Sequence, residues 1–132
     1  MKDKNLEMKE TKITGFFNKD SEFKGDLFFK GSFRIDGKFK GTINSDSILV
    51  VGETGKVEAD IKVGYLINNG EIKGNIQAKE KVEINTKGRV VGSITAPKLV
   101  IEEGAYLEAN CQTSEKVIQP QLEKTVNLGN KL

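Results

Sequence analysis

Gly37-Lys38-Phe39-Lys40-Gly41-Thr42-Ile43, Gly55-Lys56-Val57-Glu58-Ala59-Asp60-Ile61, Gly70-Glu71-Ile72-Lys73-Gly74-Asn75-Ile76 and Gly88-Arg89-Val90-Val91-Gly92-Ser93-Ile94 are four copies of one pattern. It reads glycine, any residue, apolar, any residue, small, any residue, apolar. A weaker copy precedes them (Ser21-Glu22-Phe23-Lys24-Gly25-Asp26-Leu27) and a degenerate one follows at Gly104-Ala105-Tyr106, so the pattern returns every 15 to 18 residues. A unit this short cannot bury its own apolar side chains, so successive copies must stack.

The apolar residues within each copy alternate, which is the period of a strand and not of a helix. A second alternating pair precedes each next anchor glycine: Phe33/Ile35, Leu49/Val51, Tyr65/Ile67, Val82/Ile84 and Leu99/Ile101. Two inward columns follow from aligning the copies. One is Phe23, Phe39, Val57, Ile72, Val90 and Tyr106; the other is Leu27, Ile43, Ile61, Ile76 and Ile94. The small residue between them (Gly25, Gly41, Ala59, Gly74, Gly92) lets the backbone bend or come close to a neighbour. Glycine at every repeat rules out long helices, and propeller blades need repeats near 40 residues. The expected fold is a single-stranded parallel β-helix of about six rungs. At about 4.8 Å per rung it is a rod roughly 25–30 Å long.

Residues 1–13 are charged and poor in β-branched side chains, which predicts a disordered tail. Residues 14–112 form the β-helix, and residues 113–132 read as a second flexible tail with a short helix over 115–122 as one option. Val50, Leu66, Val91 and Val100 fall on outward positions.

Composition excludes several functions. The 21 basic and 19 acidic residues are interspersed without a basic block, so no nucleic-acid surface is expected. One cysteine, Cys111, excludes an internal disulfide and a cysteine-rich metal site, and is read as a small packing residue. Histidine is absent, which removes the usual base and the usual metal ligand. Asp36, Asp46, Glu53, Glu58 and Asp60 read as solvated outward carboxylates, not as an acid/base pair, which needs two different environments. Gly52-Glu53-Thr54-Gly55-Lys56 has the flavour of a phosphate loop but lacks its first glycine and the following helix, so it reads as a turn. No enzyme activity, cofactor or metal is expected. A cytoplasmic location is expected, since no signal segment or long apolar run is present.

The ends are the functional question. A terminal rung exposes unpaired backbone and an apolar cross-section, which soluble solenoids cover with polar caps. No amphipathic cap is evident here. Phe23 and Leu27 at one end, and Tyr106 and Leu107 at the other, are therefore the expected polymerisation interface. Phe16 and Phe17 are a candidate membrane or N-terminal end contact. A capped monomeric solenoid that binds a ligand or partner protein is the alternative reading.

Phe33-Arg34-Ile35-Asp36-Gly37-Lys38-Phe39-Lys40-Gly41-Thr42-Ile43 resembles the signature of the bactofilin family. Gly52-Glu53-Thr54-Gly55-Lys56-Val57 and Gly74-Asn75-Ile76-Gln77-Ala78 fit that family's rung pattern, and the resemblance runs from about residue 13 to 111. It implies a right-handed triangular β-helix that polymerises through its ends without nucleotide, into filaments that can be apolar. It also implies a scaffold for cell-wall and cell-shape proteins, with the chain itself as first partner. Family members need an aromatic residue in the last rung, matched here by Tyr106 with Leu107 beside it. Many bind membrane, at the inner face of the cell membrane, through an apolar N-terminal segment. Met1-Lys2-Asp3-Lys4-Asn5 departs from that pattern, leaving Phe16 and Phe17 as substitutes.

Overall fold

The computed structural model describes residues 13–118. They form eleven strands, and no helix occurs among them. Every pairing is parallel, as required when each turn of a solenoid lies on the one before. The fold is a β-solenoid of about six turns.

Each turn has a bent segment and a straight one. The bent segments are β2 (Glu22–Phe28), β4 (Lys38–Asn44), the first parts of β6 (Lys56–Asn68) and β7 (Glu71–Ile84), β8 (Arg89–Thr95) and β10 (Tyr106–Gln112). The straight segments are β1 (Ile13–Phe17), β3 (Ser32–Ile35), β5 (Ile48–Val51), the second parts of β6 and β7, β9 (Lys98–Ile101) and β11 (Glu115–Ile118).

Two glycine columns have physical causes. At the bend, Gly41 and Gly92 have φ of +142° and +141°, and a Cβ on either would run into the carbonyl of the glycine one turn below, Gly25 or Gly74. Such φ values suit glycine alone. The anchor glycines sit where one turn crosses the corner of the previous one, and a Cβ on Gly70 would meet the Gly52 carbonyl. The anchor carbonyls in turn accept from the next turn: Lys56 N–H to Gly37 (2.9 Å), Glu71 to Gly55 (3.0 Å) and Arg89 to Gly70 (2.7 Å).

The core is the stack of inward columns. Phe39, Val57, Ile72 and Val90 are buried in one, and Ile43, Ile61, Ile76 and Ile94 in the next. Phe33, Leu49, Leu66, Val82 and Leu99 form a third, and Ile35, Val51, Asn68 and Ile84 a fourth.

The pair expected as Tyr65/Ile67 is Leu66/Asn68. Leu66 pairs with Leu49 and Val82, and both it and Asn68 are fully enclosed, while Tyr65 and Ile67 are half-buried on the other side. Asn68 tolerates an apolar column because its amide is used: Oδ1 accepts from Gly70 N–H (2.9 Å) and Nδ2 donates to the Arg89 carbonyl (3.3 Å). Leu66 is thus inward, and Val100 is buried too; of the expected outward apolar residues, Val50 and Val91 keep part of their surface.

The helix expected over 115–122 is absent where it is described. Glu115–Ile118 pairs with β9 as β11; the open edge of β9 offers backbone partners that outweigh weak local propensity. Residues 119–122 lie outside the described residues, as do residues 1–12 of the expected N-terminal tail.

Candidate functional site

The two ends of the stack are where the repeated chemistry is left incomplete. At the N-terminal end, β2 has a strand on one side only, β4, among the described residues. Phe23 lies over Phe39 and Leu27 over Ile43, both half-buried and packed against the core. Phe17 sits above them in register with Ile35, its ring 5.3 Å from Phe23, 5.0 Å from Phe33 and 6.4 Å from Phe39. Phe16 points away and is 52% exposed. Of the two phenylalanines expected to act together, one closes part of the end and the other faces solvent.

At the C-terminal end β10 likewise has one neighbour, β8. Here the expected column shifts by one residue. Tyr106 is in register with Arg89, and Leu107 with Val90. Leu107, half-buried, therefore occupies the inward column, followed by Ala109 over Gly92 and Cys111 over Ile94. The corner is the same four-residue turn as at 52–55 and 85–88, so its last residue, and not Gly104, stands at the anchor. Gly104 is part of the turn closed by Ala105 N–H to the Glu102 carbonyl (3.2 Å), and Ala105 takes the anchor place, so Tyr106 N–H reaches Gly88 (3.0 Å). Tyr106 is outward and 43% exposed. The Arg89 guanidinium lies 4.5 Å from its ring centroid, and its hydroxyl donates to Glu108 (2.8 Å). That hydrogen bond and the Glu108 charge raise the phenol above its ordinary value, against a smaller opposing pull from Arg89.

Elsewhere the outward side chains make cross-turn polar contacts open to water. Lys40 pairs with Glu58 (3.3 Å) and Lys79 with Asp46 (2.6 Å), each partner more than half exposed. Gly52-Glu53-Thr54-Gly55 is a turn, closed by Gly55 N–H to Gly52 (2.9 Å), and strand β6 follows it directly. Among the described residues no group of three His, Cys, Asp or Glu is placed to hold a metal, and no helix is long and apolar enough to cross a membrane.

The family model described as "Bactofilin: Polymer-forming cytoskeletal" matches residues 15–112. The chain is 39% identical over 97 residues to Bactofilin BacO of Myxococcus xanthus, covering 74% of each chain. It is 38% identical over 71 residues to Bactofilin BacP of the same organism, covering 54% of this chain and 30% of that one. No solved structure gives a significant match.

Proposed function

This chain belongs to the bactofilin family of polymer-forming cytoskeletal proteins, and from that premise we propose that it is a scaffold that polymerises by end-to-end stacking of its solenoids without a nucleotide. One observation carries the proposal: among the described residues, both terminal turns repeat the interior columns and the columns end there. Phe23 and Leu27 end two columns on one side, and Leu107 and Cys111 end the same two on the other. Each is half-buried where its interior counterparts are buried. A second copy completes the burial and also the backbone pairing of β2 and β10, which an exposed edge otherwise leaves open. Tyr106 borders this contact from the outward side.

No nucleotide enters the scheme because the driving force is apolar burial plus ladder hydrogen bonds, both present in the chain itself. The filament would then serve as a cytoplasmic scaffold for cell-wall or cell-shape proteins, with the exposed Phe16 and Phe28 as apolar groups for membrane or partner contact. Negative-stain electron microscopy of the purified, nucleotide-free protein tests the reading. Unbranched filaments a few nanometres wide are expected. Compact single particles at every concentration would reject it and favour a capped ligand-binding solenoid.

A further inference from the structure

The outward positions of the straight segments differ from those of the bent ones. On β4 and the first part of β6 they carry Lys38, Lys40, Thr42, Lys56, Glu58 and Asp60. On the straight face of the same turns, Ile48 and Val50 of β5 lie in register with Tyr65 and Ile67 of β6, and all four are half-buried on the side away from the core. A contiguous apolar block on a solvent face, rimmed by polar residues, marks a contact surface.

The rim decides what this surface fits. Arg34 of β3 stands one turn before Val50, and Glu83 of β7 one turn after Ile67, so one column reads Arg34, Val50, Ile67, Glu83 over four successive turns. That order is its own complement: turned end for end, it offers Glu83 to Arg34 and Ile67 to Val50. The neighbouring column, Ser32, Ile48, Tyr65 and Lys81, likewise sets Tyr65 on Ile48.

One copy alone leaves these charges uncompensated. Glu83 is half-buried between Ile67 and Val100 in its column and has no ionic or hydrogen-bonding partner among the described residues. Arg34 stands between Phe16 and Val50 and gives its Nε to Asp36 (3.1 Å). Its terminal nitrogens keep donors for a second carboxylate.

We propose that this face pairs with the same face of a second copy, the two rods lying side by side and pointing opposite ways. The two-fold axis runs along the strands, between β5 and β6. The apolar blocks then cover each other, and an Arg34–Glu83 pair closes the contact at each end of the block. Rods pointing the same way would set Arg34 over Ser32 and Glu83 over Lys81, and the guanidinium would meet no carboxylate. The inference concerns the side of the rod and is independent of how its ends meet. Four strands by four residues measure about 19 Å by 13 Å. That is well under the roughly 800 Å² that each partner buries in a standard interface, so single rods pair weakly and reversibly.

Nuclear magnetic resonance of Leu107→Arg, whose altered end opposes lengthwise stacking, reads the contact directly. Between dilute and concentrated samples the amides of Val50, Tyr65, Ile67 and Glu83 should shift, and those of the bent segments should not. Glu83→Arg sets arginine against Arg34, and Arg34→Glu sets glutamate against Glu83, so each variant alone should lose the shifts. An equimolar mixture of the two restores both opposite-charge pairs and should recover them. Val50→Asp mixed with Ile67→Lys repeats the design within the block, and it decides the matter if Arg34→Glu unfolds through losing Asp36. A mixture of Lys87→Glu with Glu53→Arg, which alters charges at a corner and not on the face, should keep the shifts of the parent. Shifts confined to other faces, or mixtures that behave as their components do, overturn the proposal. If Leu107→Arg still forms filaments, their width in electron micrographs gives the answer. Paired rods with the face intact and single rods with Glu83→Arg support the proposal, and equal widths overturn it.

Discussion

Leu107→Arg separates the structural account of the C-terminal end from the reading of the repeat alone. Leu107 lies over the fully buried Val90, half covered within one copy and open toward the end. Full burial of a leucine is worth about 1.5–3 kcal/mol, so covering the remaining half contributes about 1 kcal/mol to a joint. An arginine there loses that contribution and leaves an unpaired charge in the contact, which costs about 3–5 kcal/mol when fully enclosed. Some of this is recovered as the long side chain reaches toward the open edge of the joint. A net loss of about 3–4 kcal/mol per joint raises the critical concentration by roughly 10²–10³, at 1.4 kcal/mol per tenfold. Tyr106→Arg is the matched comparison. It removes a ring stacked on Arg89 at an exposed site, worth about 0.5–1 kcal/mol, and puts the new cation beside Glu108. Its critical concentration should shift by no more than about fivefold. Sedimentation across a concentration series gives both values, and a circular-dichroism melt shows that each variant is folded. If Tyr106→Arg abolishes filaments while Leu107→Arg assembles normally, the register of β10 on β8 and the end contact built on it are wrong.

Asn68→Asp keeps the shape of a fully buried side chain but replaces the donor to the Arg89 carbonyl with a carboxylate. Burial raises that carboxyl, so its penalty is absent below its unfolded value and grows as pH rises. Stability at neutral pH should fall by about 3–5 kcal/mol and recover on acidification, and urea midpoints that do not vary with pH would contradict this. Ile76→Ala empties a closed position between Ile61 and Ile94 and should cost about 3–4 kcal/mol by chemical denaturation. A cost below about 1 kcal/mol would show that the columns are not tightly packed. In a Tyr65→Phe background, absorbance should place the Tyr106 phenolate transition above the ordinary tyrosine value, and Glu108→Gln should lower it; no change in Glu108→Gln would break the assignment of Glu108 as the cause.

Besides the strand found at Glu115–Ile118 in place of a helix and the burial of Val100, two adjustments of one residue separate the sequence reading from the structure. Tyr65, Leu66 and Ile67 are all apolar, so alternation alone cannot choose a face, and the corner after Ile61 is one residue longer than the spacing suggests. Asn68 looked like turn chemistry and proved to be a buried member of a column, identifiable only from its two hydrogen bonds. In the last turn, Gly104 imitated an anchor while the backbone used Ala105, which drew Tyr106 outward and set Leu107 inward. Both ambiguities lie at corners, where loop length varies without disturbing the pattern on either side.

The sequence by itself determined the architecture. A period of 15 to 18 residues with alternating apolar positions and recurrent glycine has one stable solution, a stack of parallel rungs with apolar columns inside. Only the tertiary structure decided which residues meet at the ends, because that depends on counting strands in space and not along the chain. β1 above β3, β11 above β9 and the shift at Leu107 are long-range pairings, each fixed by a neighbouring edge's unmet hydrogen bonds, to which local pattern is blind.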